Sequence, residues 1–146
     1  MFKKILFATD GSAASDHAAT LAVSLARIHK ASLIAVYVID PYPYLSIGET
    51  NPMGFQAYMG AAQEHAVEAF DTVQKIAAEG GAPISLDTQL VEDVAAYKGI
   101  LQAAEDNLVD LIIVGSHGRN GFERLLLGSI ASKVTSHSSR PVLVVR

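Results

Sequence analysis

Five short strand-like segments, four of them almost unbroken apolar runs, alternate along the chain with four longer stretches of helical spacing, and few folds accommodate that order. The runs are Ile5-Leu6-Phe7-Ala8, Ala31–Ile39, Leu111-Ile112-Ile113-Val114 and Val142-Leu143-Val144-Val145. A half-exposed strand alternates apolar and polar residues, so an unbroken run points to a strand covered on both faces, as in a parallel sheet. Ile84–Leu90 does alternate, which predicts a less covered edge strand. Between the strands, Ser12–Lys30 places Ala18, Leu21, Ala22 and Leu25 on one helical face. Phe55–Glu79 repeats the pattern through Ala62, Ala66, Ala69, Phe70 and Val73. Val94–Asn107 does so through Ile100, Leu101 and Ala104, and Leu127–Ser138 through Leu127, Ile130, Ala131 and Val134. Ser12 reads as an N-cap, Gly80-Gly81 as a helix stop, and Pro141 as the opening of the last strand.

The order βαβαβαβαβ predicts an α/β fold, an open five-stranded parallel sheet with helices on both faces. At 146 residues the chain has the length of one ordinary domain, read as spanning 1–146. No stretch approaches the roughly 18 apolar residues that span a bilayer. The first apolar run is cut short by Thr9 and Asp10, well below a signal-peptide core of about 7–15 residues. A soluble, cytoplasmic protein without a membrane partner is expected. The lack of cysteine excludes disulfides, thiolate metal sites and thiol nucleophiles. Asp40–Gly54, with Pro41, Pro43 and Pro52, predicts a long loop, either a binding element or a passive excursion.

Charge is unevenly placed. Residues 1–115 carry six Lys/Arg against fourteen Asp/Glu, whereas residues 116–146 carry five against Glu123 alone. An acidic chain with one basic end is a poor nonspecific nucleic-acid binder, which needs many phosphate neutralisations. It remains suited to one small anion.

In an open parallel sheet, ligands bind beyond the C-terminal strand ends where strand order reverses. The candidates are Thr9-Asp10-Gly11, Val38-Ile39-Asp40 and Gly115-Ser116-His117-Gly118. The crossover after the fourth strand is the most informative. Its glycines permit positive φ and close approach of backbone N–H groups to an anion, and Gly128-Ser129 opens the last helix, whose start offers unpaired N–H groups. Ser129 and Ser132 could add hydroxyl donors. Gly128 and Ser129 read equally as a simple turn and cap.

Gly115-x2-Gly118-x9-Gly128-Ser129 is similar to the G-2x-G-9x-G-S/T signature of the ATP-binding branch of the universal stress protein family. The opening Ile5–Ser12 and the ending Arg140–Arg146 resemble that family too, and the likeness covers the whole chain. It implies a Rossmann-like sheet in the order 3-2-1-4-5, with the switch point between the first and fourth strands. It also implies a bound adenine nucleotide, ATP or ADP or AMP, with Mg²⁺ carried by the phosphates. By this resemblance Thr9 and Asp10 line the pocket and Val38 contacts the adenine. Gly115, His117 and Gly118 approach the ribose and phosphates, and Gly128, Ser129 and Ile130 hold the phosphates. A homodimer through the last strand, Val142–Val145, is implied as well. The chain departs from the family pattern at Asn120, and in Val91–Gly99, which replaces a shorter turn.

Dedicated catalysis is not expected. The Ser-Gly-Gly loop of related pyrophosphatases is replaced by Asp10-Gly11-Ser12, and no Gly-Lys pair exists for a Walker A loop. Gly115-Ser116-His117-Gly118 does not fit a nucleophile elbow. None of His17, His29, His65, His117 and His137 forms a close metal pair, and His117 alone of them falls at the expected ligand rim. Slow ATP hydrolysis or autophosphorylation, and a nucleotide-free dimeric interaction module, are the alternatives. A phosphoacceptor receiver domain is a further alternative, but it would need a lysine after the fifth strand, and none is seen here.

Overall fold

The structure, a computed structural model, describes residues 1–41, 52–117 and 127–146. Nine elements follow in the expected order. They are β1 (Lys4–Ala8), α1 (Ala13–His29), β2 (Ser32–Ile39), α2 (Pro52–Ala78), β3 (Leu86–Glu92), α3 (Ala96–Asp106), β4 (Leu111–Gly115), α4 (Ser129–His137) and β5 (Val142–Val145). All five strands are parallel in the order β3-β2-β1-β4-β5. β1 is thus central, with Ile5 opposite both Leu33 and Leu111.

The unbroken apolar runs are explained by two cores, one on each side of the sheet. Ile5 and Phe7, Leu33 and Ala35, and Leu111 and Ile113 point toward α1 and α2 and pack on Ala18, Ala22, Val23 and Val73. Leu6, Ile34, Val36, Ile112 and Val114 point the other way, onto Ile100, Ala103 and Ala104 of α3 and Ala131 and Val134 of α4. Successive strand residues serve opposite cores, so no position can be polar. β3, at the edge, has no buried residue; its burial alternates only from Gln89 onward, with Gln89 and Val91 half-buried and Leu90, on the face expected to be covered, exposed.

Local signals set the ends of the elements. The Ser12 side chain accepts a hydrogen bond from Ser15 N at 3.2 Å, so it does cap α1. Gly80, at φ +65°, follows the end of α2 in the left-handed region that glycine tolerates. Arg27 ties α1 to that end, donating to the carbonyls of Ala77 at 2.8 Å, Glu79 at 2.6 Å and Ala82 at 2.9 Å.

Four expectations shift. α2 begins at Pro52, so the last residues of the expected loop are helical; proline at a first helical position gives up an N–H that would be unpaired anyway. Residues 42–51 of that loop lie outside the described residues. β3 is displaced two residues toward the C-terminus, because pairing with β2 starts only where Leu33 N donates to Ser85 O. In α1 the buried face runs through Ser15, Ala18, Ala19, Ala22, Val23 and Ala26, while Leu21 is 38% exposed. Small residues at that contact let α1 sit close on the sheet, and this turns the bulkier Leu21 outward. α4 begins at Ser129 rather than at Leu127, and within it only Ala131 and Val134 reach the core; Ile130, and Leu127 before the helix, are exposed.

Candidate functional site

Because β1 and β4 are neighbours whose following helices lie on opposite faces, their C-terminal ends part and leave a crevice. A cavity of about 550 Å³ occupies it. Its lining draws on the ends of β1, β2 and β4, on the starts of α1, α3 and α4, and on the interior of α2.

The floor is the turn after β1. Thr9 is buried and still pairs with the sheet, donating its N–H to Val36 O at 2.9 Å. Its hydroxyl oxygen accepts from Gly11 N at 3.1 Å and from the Ser15 hydroxyl at 2.8 Å. The Ser15 oxygen in turn accepts from Asp10 N at 3.3 Å, and Asp10 Oδ1 accepts from Ser12 N at 2.9 Å. Gly11 takes φ +77°, where a side chain would be strained. Side chains and backbone amides therefore lock this turn before any ligand arrives. Partial burial, and then the nearby Asp10 charge, push the Asp16 carboxyl above its ordinary range.

The opposite wall is the β4–α4 crossover. Ser116 is buried and organises it. Its N–H donates to Val145 O at 2.7 Å, its carbonyl accepts from Gly128 N at 2.7 Å, and its hydroxyl lies 2.9 Å from His117 Nδ1. His117 Nε2 is buried and has no hydrogen-bond partner among the described residues, an arrangement that needs explanation in a native structure. α4 begins with Gly128 as a cap that offers no side-chain hydrogen bond. Ser132 N donates back to Gly128 O, so the amides of Ser129, Ile130 and Ala131 have no intrahelical acceptor.

Apolar surface forms the third side: Val38 and Ile39 from β2, Ala96 and Ile100 from α3. α2 contributes Tyr58, Ala61, Ala62 and His65, one helical stripe spaced i, i+3, i+4, i+7. Tyr58 is held in place by donating its hydroxyl to Asp40 O at 2.8 Å.

Eight of the nine residues expected at the site surround this one cavity: Thr9, Asp10, Val38, Gly115, His117, Gly128, Ser129 and Ile130. Gly118 lies outside the described residues. Ile130 lines the cavity rather than the core, which accounts for its exposure. Ser132 is not part of the lining. Neither Gly115 nor Gly128 has a positive φ, so that part of the expectation for the crossover's glycines does not hold at these two. A Cβ on Gly128 would lie 2.7 Å from the Ser116 carbonyl oxygen, so glycine there allows the crossover to close. Asp40, a candidate from its place after the second strand, is in the lining, whereas His65, Tyr58 and Ser15 are additions that the sequence does not predict there, and His117 is not the only histidine at the rim among the described residues. The α2 stripe was visible in the sequence as helical spacing, but its position over β2 is tertiary. A second hollow, of about 500 Å³, lies at the other end of the strands among Lys3, Arg27, Lys30 and Ser85, and holds none of the expected residues.

Fold and cavity together define a doubly wound α/β protein with a cavity at its topological switch point. The family model described as "Universal stress protein family" matches residues 1–146, and the chain belongs to that family. It is 36% identical over 146 residues to universal stress protein MJ0531 of Methanocaldococcus jannaschii, covering 100% of this chain and 83% of that protein. Its fold matches universal stress protein UspA from Lactobacillus plantarum with a TM-score of 0.81 at 30% identity, covering 99% of this chain and 97% of that one. More distant structures share the fold. One is a universal stress protein in complex with cAMP, at 23% identity and TM-score 0.65, covering 99% of this chain and 97% of that one. Another is the universal stress protein from Archaeoglobus fulgidus in complex with dAMP, at 18% identity and TM-score 0.65, covering 99% and 98%. No helix among the described residues is long and apolar enough to cross a membrane.

Proposed function

We propose that the cavity binds an adenine nucleotide, ATP, ADP or AMP, and that the protein serves as a dimeric, nucleotide-dependent regulator in a stress response. The observation that carries this reading is the meeting, in one cavity, of an apolar wall and three amides at the start of α4 that have no acceptor within their own helix. A purine needs the first and a phosphate the second. The base would lie against Val38, with Thr9 and Asp10 beneath it. The phosphates would sit on the amides of Ser129, Ile130 and Ala131. Gly128 would contribute shape rather than a donor, since its N–H is bonded to Ser116. The buried Nε2 of His117 would gain a partner in the ribose or a phosphate oxygen. Gly118 would complete the rim. The cAMP and dAMP complexes of two distant members support the ligand class. Mg²⁺ would travel with the phosphates, as no group of three His, Asp or Glu side chains placed for a metal occurs among the described residues.

Calorimetric titration tests this reading: AMP or ATP should bind the purified, nucleotide-stripped protein, and GTP should bind at least about tenfold more weakly, a difference of roughly 1.4 kcal/mol. Absence of any adenine-nucleotide binding would favour an interaction module that works without one.

The dimer would form along β5. Pro141 O and Val145 O accept from β4, so by strand alternation Val142 and Val144 turn their backbone groups to the outer edge. That edge carries no charge or proline to discourage pairing. Val144→Pro removes an outward N–H while keeping the bonds to β4, the placement in which edge strands tolerate proline. Sedimentation should show a parental dimer and a monomeric variant at micromolar concentration. A monomeric parent would contradict the proposal.

A further inference from the structure

Gly99 lies inside α3, where glycine is a poor helix former, so its presence calls for a packing reason. A Cβ at this position would stand 2.8 and 2.9 Å from the two γ-methyls of Val38, and 3.1 Å from Val94 Cγ1. Gly60 in α2 offers the contrast, with nothing within 4 Å of its would-be Cβ. At Gly99, α3 therefore approaches β2 too closely for a side chain to fit, and it does so at Val38, one of the residues of the cavity's apolar wall. Val38 has little freedom to yield. It is β-branched, and both methyls already face Gly99, so rotation about χ1 exchanges one clash for another. It packs in the α3/α4 core on one side and borders the cavity on the other. An added methyl must push Val38 into the cavity or drive α3 outward. The second movement carries along Ala96 and Ile100, which also line the cavity, and strains the 3.1 Å bond from Ala96 N to Asp40 Oδ1.

We infer that Gly99 is a specificity-determining position, whose missing side chain sets the width of the slot that receives the planar base of the ligand. The inference rests on the nucleotide reading of the cavity and adds to it the element that gauges the base. A side chain at 99 narrows or skews the base slot and leaves the start of α4, on the far wall, unchanged.

Titrations of the parent, Gly99→Ala, Val38→Ala, the double variant and Gly60→Ala with AMP, and separately with inorganic tripolyphosphate, test it. Gly99→Ala should weaken AMP binding by about tenfold to a hundredfold, the range that overpacking produces. In the Val38→Ala background the same change should alter AMP binding by no more than about twofold, because the clashing methyls are gone. Tripolyphosphate binding should be the same in all five proteins, and Gly60→Ala should match the parent for both probes. Thermal melts without ligand establish that each variant is folded. Parental AMP affinity in Gly99→Ala overturns the inference, as does an equal loss for tripolyphosphate, which would mean general damage. A parent that binds no AMP overturns the nucleotide reading itself, and this inference with it.

Discussion

Gly128→Val is expected to abolish the thermal stabilisation that ATP confers, with the unliganded sheet still folded. ATP at about 100 times its dissociation constant should stabilise the parent by roughly 2.7 kcal/mol. For a domain near 150 residues this raises the melting midpoint by roughly 5–11 °C. The would-be Cβ at 128 meets the Ser116 carbonyl at 2.7 Å, so the short bond from Gly128 N to that oxygen cannot survive. α4 must then retreat, and the amides of Ser129, Ile130 and Ala131 leave the cavity together. Gly115→Ala is the informative comparison. Its Cβ would sit 3.6 Å from His117 O, an ordinary contact, so this variant should keep most of the ATP shift. Equal loss in both variants would mean that the two glycines share one role, against the distinction drawn here.

Phe7→Ala should cost about 3–5 kcal/mol and lower the melting midpoint by roughly 6–20 °C, the largest effect expected of a single change in the core. Phe7 is fully buried in the central strand, and the helix facing it presents Ala18, Ala22 and Val23. Those short side chains cannot reach into the space that a lost ring leaves, so the cavity persists. Leu21→Ala on the same helix should cost less than about 1 kcal/mol, because Leu21 is largely outside the contact. Melting curves of the two variants decide the point. Similar losses in both would contradict the burial assigned to α1.

Much of this architecture was legible in the sequence because each core makes separate demands on alternate strand residues. Ile5-Leu6-Phe7 must be apolar throughout only if β1 is covered twice, and the structure covers it twice. Apolar spacing in helices carries less information, since it does not say what an apolar residue touches. Leu21 faces solvent and Ile130 faces the cavity, yet both obey the helical period. The site was legible where it is made of local chain, in Thr9-Asp10-Gly11 and around Gly128-Ser129. It was hidden where it depends on how distant elements meet. His65 and Tyr58 come over the cavity only because α2 returns across β2, and Gly99 matters only because α3 lies against Val38. Ser116 looked like one residue of a Gly-rich stretch; in the structure it joins β5, α4 and His117.

The most direct test of the central claim is a crystal structure of the protein soaked with AMP. The adenine should lie against Val38, the phosphate within hydrogen-bond reach of the amides of Ser129, Ile130 and Ala131, and His117 Nε2 should be bonded to the ligand. AMP found instead among Lys3, Arg27 and Lys30 at the other end of the strands, or an empty cavity at saturating AMP, would contradict that claim.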